Sequence, residues 1–155
     1  MGFSEKMRES LGAEGARVRV VAPEGTVPRG QTTTASVTIT GGTREATIDA
    51  LIVRVVEADR YWVRSFDGAR VEEADAQALT NRSGLTAGWD RQPVLEQRLE
   101  LSQVIPPGSE HSLTIDVPVP TDCKATSVCC SHTLNVQADI KGQIDPAGNA
   151  RINLA

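Results

Sequence analysis

The sequence is poor in aromatic residues, in long apolar runs and in clustered positive charge. Aromatic side chains make up 3% of its 155 residues, so a core has to be built from Val, Ile, Leu and Ala. Such a composition favours strands, because β-branched side chains fit a pleated surface. The longest apolar stretch, Ala50 to Val56, is broken by Arg54 and is too short to cross a bilayer. A net charge of −4 with scattered arginines argues against nucleic-acid binding, and we expect no integral membrane association.

The cysteine count indicates the cellular compartment, and the chain length indicates the number of domains. Three cysteines are an odd number without framework spacing, which indicates reduced thiols and predicts a cytoplasmic protein. The first residues, Met1 to Leu11, lack the apolar run of a signal peptide. A length of 155 residues suits one domain, which we place over residues 1–155.

Side chains alternate between apolar and polar over much of the chain, which is typical of half-buried strands. The segment from Gln31 to Thr40 places Ala35, Val37 and Ile39 on one face and threonines on the other. The segment from Val128 to Ile140 alternates in the same way, with Val128, Cys130 and His132 on its inner face. Seven or eight such strands separated by turns predict an all-β fold, a two-sheet antiparallel sandwich.

Two segments depart from this pattern. Phe3, Met7 and Leu11 recur every four residues and predict a short amphipathic helix over residues 1–12. Residues 66–93 are polar without strand alternation, and we interpret them as a long connection carrying a short helix within Val71 to Leu79. A connection of this length in a compact domain is usually functional or mobile.

Cys123, Cys129, Cys130 and His132 form the strongest candidate for a metal site. Their spacing differs from the Cys-x-x-Cys pairs of zinc sites, and Cys129 and Cys130 must point to opposite faces of a strand. We therefore favour a buried thiol and a core-edge histidine, and predict no metal. A redox role for an exposed Cys129 stays open as a weaker alternative.

No pattern of a catalytic site is apparent. The chain has no Gly-x-Ser-x-Gly elbow and no glycine-rich phosphate loop before a helix. The carboxylate pair Glu72-Glu73 lies in the irregular segment, where we interpret it as solvated surface. We expect no catalytic residue, no cofactor and no enzyme activity.

Trp89 and Arg91 are the candidate partner-binding residues. Trp89 lies in the polar segment beside Asp90 and Arg91. Trp and Arg are enriched at binding hot spots, so an exposed anchor for a protein partner is one interpretation. Packing of Trp89 over a sandwich edge is the other.

Several segments together resemble the sporulation-control family of arrestin-like proteins, over nearly the whole chain. Their order and spacing, more than any single motif, carry this resemblance. The matching segments are Met1-Gly2-Phe3, Gly15 to Val18, Thr26 to Gly30, Gly41-Gly42, Ile48 to Val55, Val104 to Gly108, Leu113 to Pro120 and His132 to Ile140 with Asp145-Pro146. Pro28-Arg29-Gly30 stands where the family usually has Pro-Gly-Glu, so that turn is expected to differ in shape.

The resemblance implies an immunoglobulin-like sandwich lobe without catalytic residues that binds protein partners as a scaffold or regulator in the control of sporulation. Family members usually carry two such lobes, and this length leaves room for one. A partner would add a strand to an exposed sheet edge or dock on residues 66–93. The alternative function is a structural subunit that assembles as a homo-oligomer through its sheet edges.

Overall fold

A computed structural model describes residues 15–155, and strands dominate this part of the chain. The predicted helix over residues 1–12 lies outside the described residues. The elements are β1 (Arg17–Val21), β2 (Thr26–Val27), β3 (Thr32–Thr40), β4 (Ala46–Arg64), β5 (Arg70–Val71), α1 (Glu73–Gln77), β6 (Leu85–Ile105), β7 (Glu110–Pro118), β8 (Cys130–Ile140), β9 (Ala147–Arg151) and β10 (Asn153–Leu154). The fold is all-β and mainly antiparallel, as predicted. Within residues 15–155, no helix is long and apolar enough to cross a membrane.

The smaller main sheet has three antiparallel strands in the order β1-β3-β7. Ala35, Val37 and Ile39 of β3 are buried, which confirms their predicted inward direction. The threonines on the opposite face meet the neighbouring strand, where Thr38 Oγ1 lies 3.1 Å from Ser112 Oγ. The alternation seen in the sequence therefore divides a core face from a hydrogen-bonding outer face.

The larger sheet is built around β4, which pairs with β6 along one edge and with β8 and then β5 along the other. β9 adds to the far side of β8, and β2 pairs with β10 in a separate short parallel pair. The register of β4 shifts between Ile48 and Ala50 against both neighbours. This bulge moves the buried positions from Ala46 and Ile48 to Leu51, Val53 and Val55, so the apolar residues of β4 do not alternate evenly along the sequence.

The core lies between the two main sheets and is aliphatic. Val37 and Ile39 of the smaller sheet, and Val53, Val55 and Leu134 of the larger sheet, are all fully buried. Each such side chain contributes about 1.5–3 kcal/mol by leaving water. The inner face of β8 is confirmed from Cys130 to Ile140. Val128, which we predicted on that face, precedes the strand and is 80% exposed.

The predicted connection over residues 66–93 is too long, because residues 85–93 belong to β6. Here β4 and β6 continue as a hairpin beyond the core, and β6 is exposed on most of its residues between Leu85 and Pro93. Without a core to cover one face, the strand carries no apolar alternation, and its sequence resembles a loop. The helix predicted within Val71 to Leu79 is confirmed as α1.

Candidate functional site

Trp89 and Arg91 lie two residues apart on β6 and share the outer face of the larger sheet. Their cross-strand neighbours on β4 are Arg60 and Ala58. Trp89 is 39% exposed, so its ring is only partly packed on the sheet. Both residues line one shallow depression of about 450 Å³, which we call the Trp89 face. Its lining residues are Trp89, Arg91, Ser127, Val128, Ser131 and Arg151.

The Trp89 face combines an apolar centre with the cationic side chains of Arg91 and Arg151. The guanidinium groups of Arg91 and Arg151 have no hydrogen-bond or ion-pair partner among residues 15–155. Other arginines of the same sheet do have carboxylate partners, namely Arg54, Arg60, Arg70 and Arg98. The positive charge at the Trp89 face is therefore available to a ligand from outside this part of the chain.

Val128 is presented to solvent by a tight turn before β8. The backbone nitrogen of Ser127 donates to the carbonyl of Cys130 over 2.8 Å, and Ser127 Oγ accepts from the backbone nitrogen of Cys129 over 3.3 Å. The carbonyl of Cys129 in turn accepts from the backbone nitrogen of Arg60 over 2.9 Å. These bonds leave the backbone little freedom, so the exposed Val128 side chain is held beside Trp89.

A second cluster lies on the inner face of the larger sheet, around His132. Glu57 and His132 face each other across β4 and β8, with 3.0 Å between Glu57 Oε2 and His132 Nε2. The other ring nitrogen, Nδ1, is 2.8 Å from Thr126 Oγ1. Glu57 is 3% exposed and His132 is fully buried. Both ring nitrogens are thus occupied inside the protein, as expected of a buried pair that holds two strands together.

The thiols around His132 follow the predicted directions. Cys130 is buried with Sγ 3.9 Å from His132 Nε2, whereas Cys129 is only partly buried on the opposite side. Burial, with the hydrogen bond to Asp59, raises the pKa of the Cys130 thiol to about 12. Burial also raises the pKa of the Cys123 thiol. Neither buried thiol is poised as a nucleophile in this arrangement.

The tip of the β4–β6 hairpin is fixed by Glu73, so our interpretation of Glu72-Glu73 as solvated surface is wrong for Glu73. Its carboxylate accepts two bonds from Arg60, one from the Trp62 indole and one from Gln77. The hydrogen bonds from Arg60 lead the effects that lower the pKa of Glu73 to about 2. The Glu73 side chain is 21% exposed, whereas that of Glu72 is 62% exposed. Through these hydrogen bonds, Glu73 holds α1 against β4.

A groove opens between the two main sheets at the edges formed by β6 and β7. It has a volume of about 460 Å³ and contains the half-buried side chains of Leu99, Leu101 and Leu113. Within the described part of the chain, β6 pairs only with β4, and β7 pairs only with β3. The backbone groups along the outer side of both strands are therefore open to another strand.

Sequence reasoning singled out Trp89 and Arg91 as candidates, but it did not single out Val128 and Arg151, which line the same depression, or Glu57, which contacts His132. Arg151 joins the Trp89 face because it lies opposite Thr133 on β8, next to the register position of Ser131. Glu57 meets His132 only through the pairing of β4 with β8. The one available signal was a carboxylate at an inward position of a predicted strand, which demands a buried partner.

Comparison with known proteins identifies the family. The model of the Spo0M family, described as SpoOM protein, matches residues 4–154. This chain belongs to the Spo0M family. The match confirms the resemblance to sporulation-control proteins, and no curated protein matches the sequence.

A solved structure of the Spo0M family has a similar fold. The crystal structure of Spo0M, the sporulation control protein from Bacillus subtilis, aligns with a TM-score of 0.67 at 20% sequence identity. The alignment covers 93% of this chain and 50% of the Bacillus subtilis chain. This chain thus spans about half the length of that Spo0M protein. At this identity, the likeness establishes the fold alone.

Proposed function

We propose that this chain is a non-enzymatic regulatory module that binds an acidic segment of a partner protein at the Trp89 face. The observation that carries the proposal is an exposed apolar pair, Trp89 and Val128, beside two arginines without partners among residues 15–155. We also propose that its two main sheets form an immunoglobulin-like sandwich of the arrestin-like kind, with a core shared between the sheets.

The chemistry of the Trp89 face favours a segment that carries both an apolar anchor and carboxylates. A side chain placed between Trp89 and Val128 would cover apolar surface that water now contacts. The planar guanidinium groups of Arg91 and Arg151 match carboxylates through paired hydrogen bonds. Trp and Arg are also the residue types that most often dominate binding energy.

The arrangement around His132 supports a role without catalysis. The histidine is held on both ring nitrogens by Thr126 and Glu57, and both of those partners have further bonds. Thr126 Oγ1 accepts from the backbone nitrogen of Leu154, and Glu57 Oε2 accepts from that of Lys124. These hydrogen bonds join three segments of the chain. Such a structural role is sufficient to explain why the groups are buried, without any catalytic step.

The cellular setting belongs to the same proposal. Cys123, Cys129 and Cys130 are all free, which supports a reducing compartment such as the cytoplasm. The Spo0M protein of Bacillus subtilis is described as a sporulation control protein, which supports a regulatory role for this chain.

A peptide-binding measurement tests the proposal. The probe is a fluorescein-labelled peptide with glutamates on both sides of a central leucine, followed by fluorescence anisotropy at low salt. We expect Trp89→Ala, Arg91→Ala and Arg151→Ala each to weaken binding about 5–30-fold, the equivalent of about 1–2 kcal/mol. Arg19→Ala is the control, since Arg19 is exposed on β1, outside the Trp89 face.

Two results would contradict the proposal. One is equal binding of a peptide in which lysine replaces every glutamate, because the two arginines repel that probe. The other is an equal loss of binding in Arg19→Ala and Arg91→Ala, which would indicate attraction without a site.

The open edges of β6 and β7 favour a second candidate function, self-assembly. A second copy of this chain would add its own edge strand and cover Leu99, Leu101 and Leu113 in the groove. Light scattering over a concentration series distinguishes the two candidates. A mass that stays at one chain at every concentration counts against assembly and leaves the Trp89 face as the site of function.

A further inference from the structure

The buried polar cluster around Glu57 and His132, where β4 pairs with β8, contains several side chains that can bind a metal ion. Single ligand atoms of Glu57, Cys123 and His132 all lie within 4.8 Å of one another, and all three residues are buried. A second group of possible ligands, Glu57, Asp59 and Cys130, shares only Glu57 with the first. From this convergence, we propose that Glu57, Cys123 and His132 form a binding site for a zinc-type divalent cation.

The observed separations are close to those of a tetrahedral zinc site. Zinc bonds are about 2.1 Å long to nitrogen and oxygen and about 2.3 Å long to sulfur. At tetrahedral angles, a nitrogen and an oxygen bound to the same zinc ion are therefore about 3.3 Å apart, and a nitrogen and a sulfur are about 3.6 Å apart. Glu57 Oε2 and His132 Nε2 are 3.0 Å apart, and the ligand atoms of Glu57, Cys123 and His132 all lie within 4.8 Å of one another. A shift of a few tenths of an ångström suffices between Glu57 and His132, and Cys123 Sγ has to approach by at most about 1.2 Å.

The surrounding hydrogen bonds orient the ligands. Thr126 Oγ1 lies 2.8 Å from His132 Nδ1, so a hydroxyl holds the ring nitrogen that points away from the proposed ion. A metal-bound histidine usually donates its second N–H in this way. The backbone nitrogen of Lys124 donates to Glu57 Oε2 over 3.0 Å and fixes the carboxylate. Both supports belong to the chain between β7 and β8, which also contains Cys123.

The local charges also favour a cation. Glu57 and Asp59 bring two carboxylates to this end of β4, and Lys124 Nζ pairs with Asp59 Oδ1 over 3.2 Å. Asp59 is therefore already engaged by Lys124 and by a hydrogen bond with Cys130, whereas Glu57 faces Cys123 and His132. On binding, the ion would take the His132 Nε2 lone pair and the Cys123 thiolate. The thiol proton would pass to solvent, and a proton on Nε2 would move to Nδ1, which then donates to Thr126 Oγ1. No oxidant or reductant is needed.

This inference revises our prediction of no metal, which rested on the spacing of the cysteines and on the opposite directions of Cys129 and Cys130. The argument from direction stays valid for Cys129, which lies on the other side of the strand. It did not include Glu57, which lies 75 residues from His132 in the sequence, and it left Cys123 unplaced.

Cobalt(II) titration of the full chain under reducing conditions tests the site. The chain is refolded with cobalt(II), so that slow entry into a buried cluster does not hide binding. We expect one cobalt(II) per chain, a sulfur-to-cobalt charge-transfer band, and displacement of the ion by zinc(II). The band should be lost in Cys123→Ser and stay unchanged in Cys129→Ser, which is the matched control.

The wild-type titration decides the question without any variant having to fold. A folded wild-type chain without a charge-transfer band overturns the proposal. A band that is lost in Cys129→Ser but kept in Cys123→Ser also overturns it, because the ion would then sit at the surface. A zinc(II)-dependent rise in the unfolding midpoint of the wild type, absent in Cys123→Ser, supports the buried site.

Discussion

Replacing Glu73 by Gln removes one negative charge from the tip of the β4–β6 hairpin and keeps the shape of the side chain. The carboxylate accepts four hydrogen bonds: Arg60 Nε over 3.0 Å, Arg60 Nη2 over 2.6 Å, Trp62 Nε1 over 2.7 Å and Gln77 Nε2 over 2.7 Å. These bonds lower the pKa of Glu73 from 4.5 to about 2. That change corresponds to at most about 3.4 kcal/mol of stabilisation. Because the side chain is 21% exposed, solvent screening reduces our expectation to about 2 kcal/mol.

The pH dependence follows from the lowered pKa. The stabilisation by Glu73 is fully present above pH 4.5 and is lost as the pH falls toward 2. The stability gap between wild type and Glu73→Gln should therefore shrink by about half at pH 3. Urea unfolding at pH 7, 4.5 and 3, followed by tryptophan fluorescence, measures this gap.

Glu72→Gln is the matched control for this prediction. Glu72 is the neighbouring carboxylate, it pairs with Arg70 over 2.7 Å, and its side chain is 62% exposed. We expect this change to cost less than about 0.5 kcal/mol. Equal losses in the two variants, or a Glu73→Gln gap that is the same at pH 7 and pH 3, would refute the reasoning.

Two further changes test the core. His132→Leu leaves the buried Glu57 carboxylate without its ring partner, and urea unfolding should show a loss of about 3–5 kcal/mol. Adding Glu57→Met should recover part of this loss, and a double variant no more stable than the single one speaks against the pairing. Gly148→Ala places a methyl group 2.7 Å from the Val18 carbonyl oxygen, so β1 and β9 must separate at a cost of about 1–3 kcal/mol in thermal unfolding. Gly84→Ala, with open space around its position, should be nearly neutral, and equal effects would contradict the packing argument.

The parts of the fold that could be predicted from the sequence are those whose strands have one covered face. In β3 and β8, side chains alternate between core and solvent, so the apolar pattern gives both the element and its direction. The prediction failed for residues 85–93, where β6 extends beyond the core and neither face has to be apolar. Val128 was assigned inward because it has the right parity, but β8 begins only at Cys130.

The candidate site was predictable only in part, for a different reason. Trp89 and Arg91 lie two residues apart on one strand. Their residue types, which are common at binding hot spots, were therefore enough to select both as candidates from the sequence. Arg151 reaches the same face through β9, and its position depends on the pairing of Thr133 with Arg151. Such tertiary pairings have no local signature, so a sequence pattern cannot place residues of different strands on one surface.

Site-specific photo-crosslinking in the native host tests most directly whether the Trp89 face contacts a protein partner. A photoreactive amino acid replaces Val128, which is 80% exposed on this face, or Val104, which is 46% exposed near the far end of β6. We predict a discrete covalent adduct from position 128 that disappears when Arg91→Glu is added, and no such adduct from position 104. Adducts that form equally from both positions, or that persist from position 128 with Arg91→Glu, would contradict the proposed docking site.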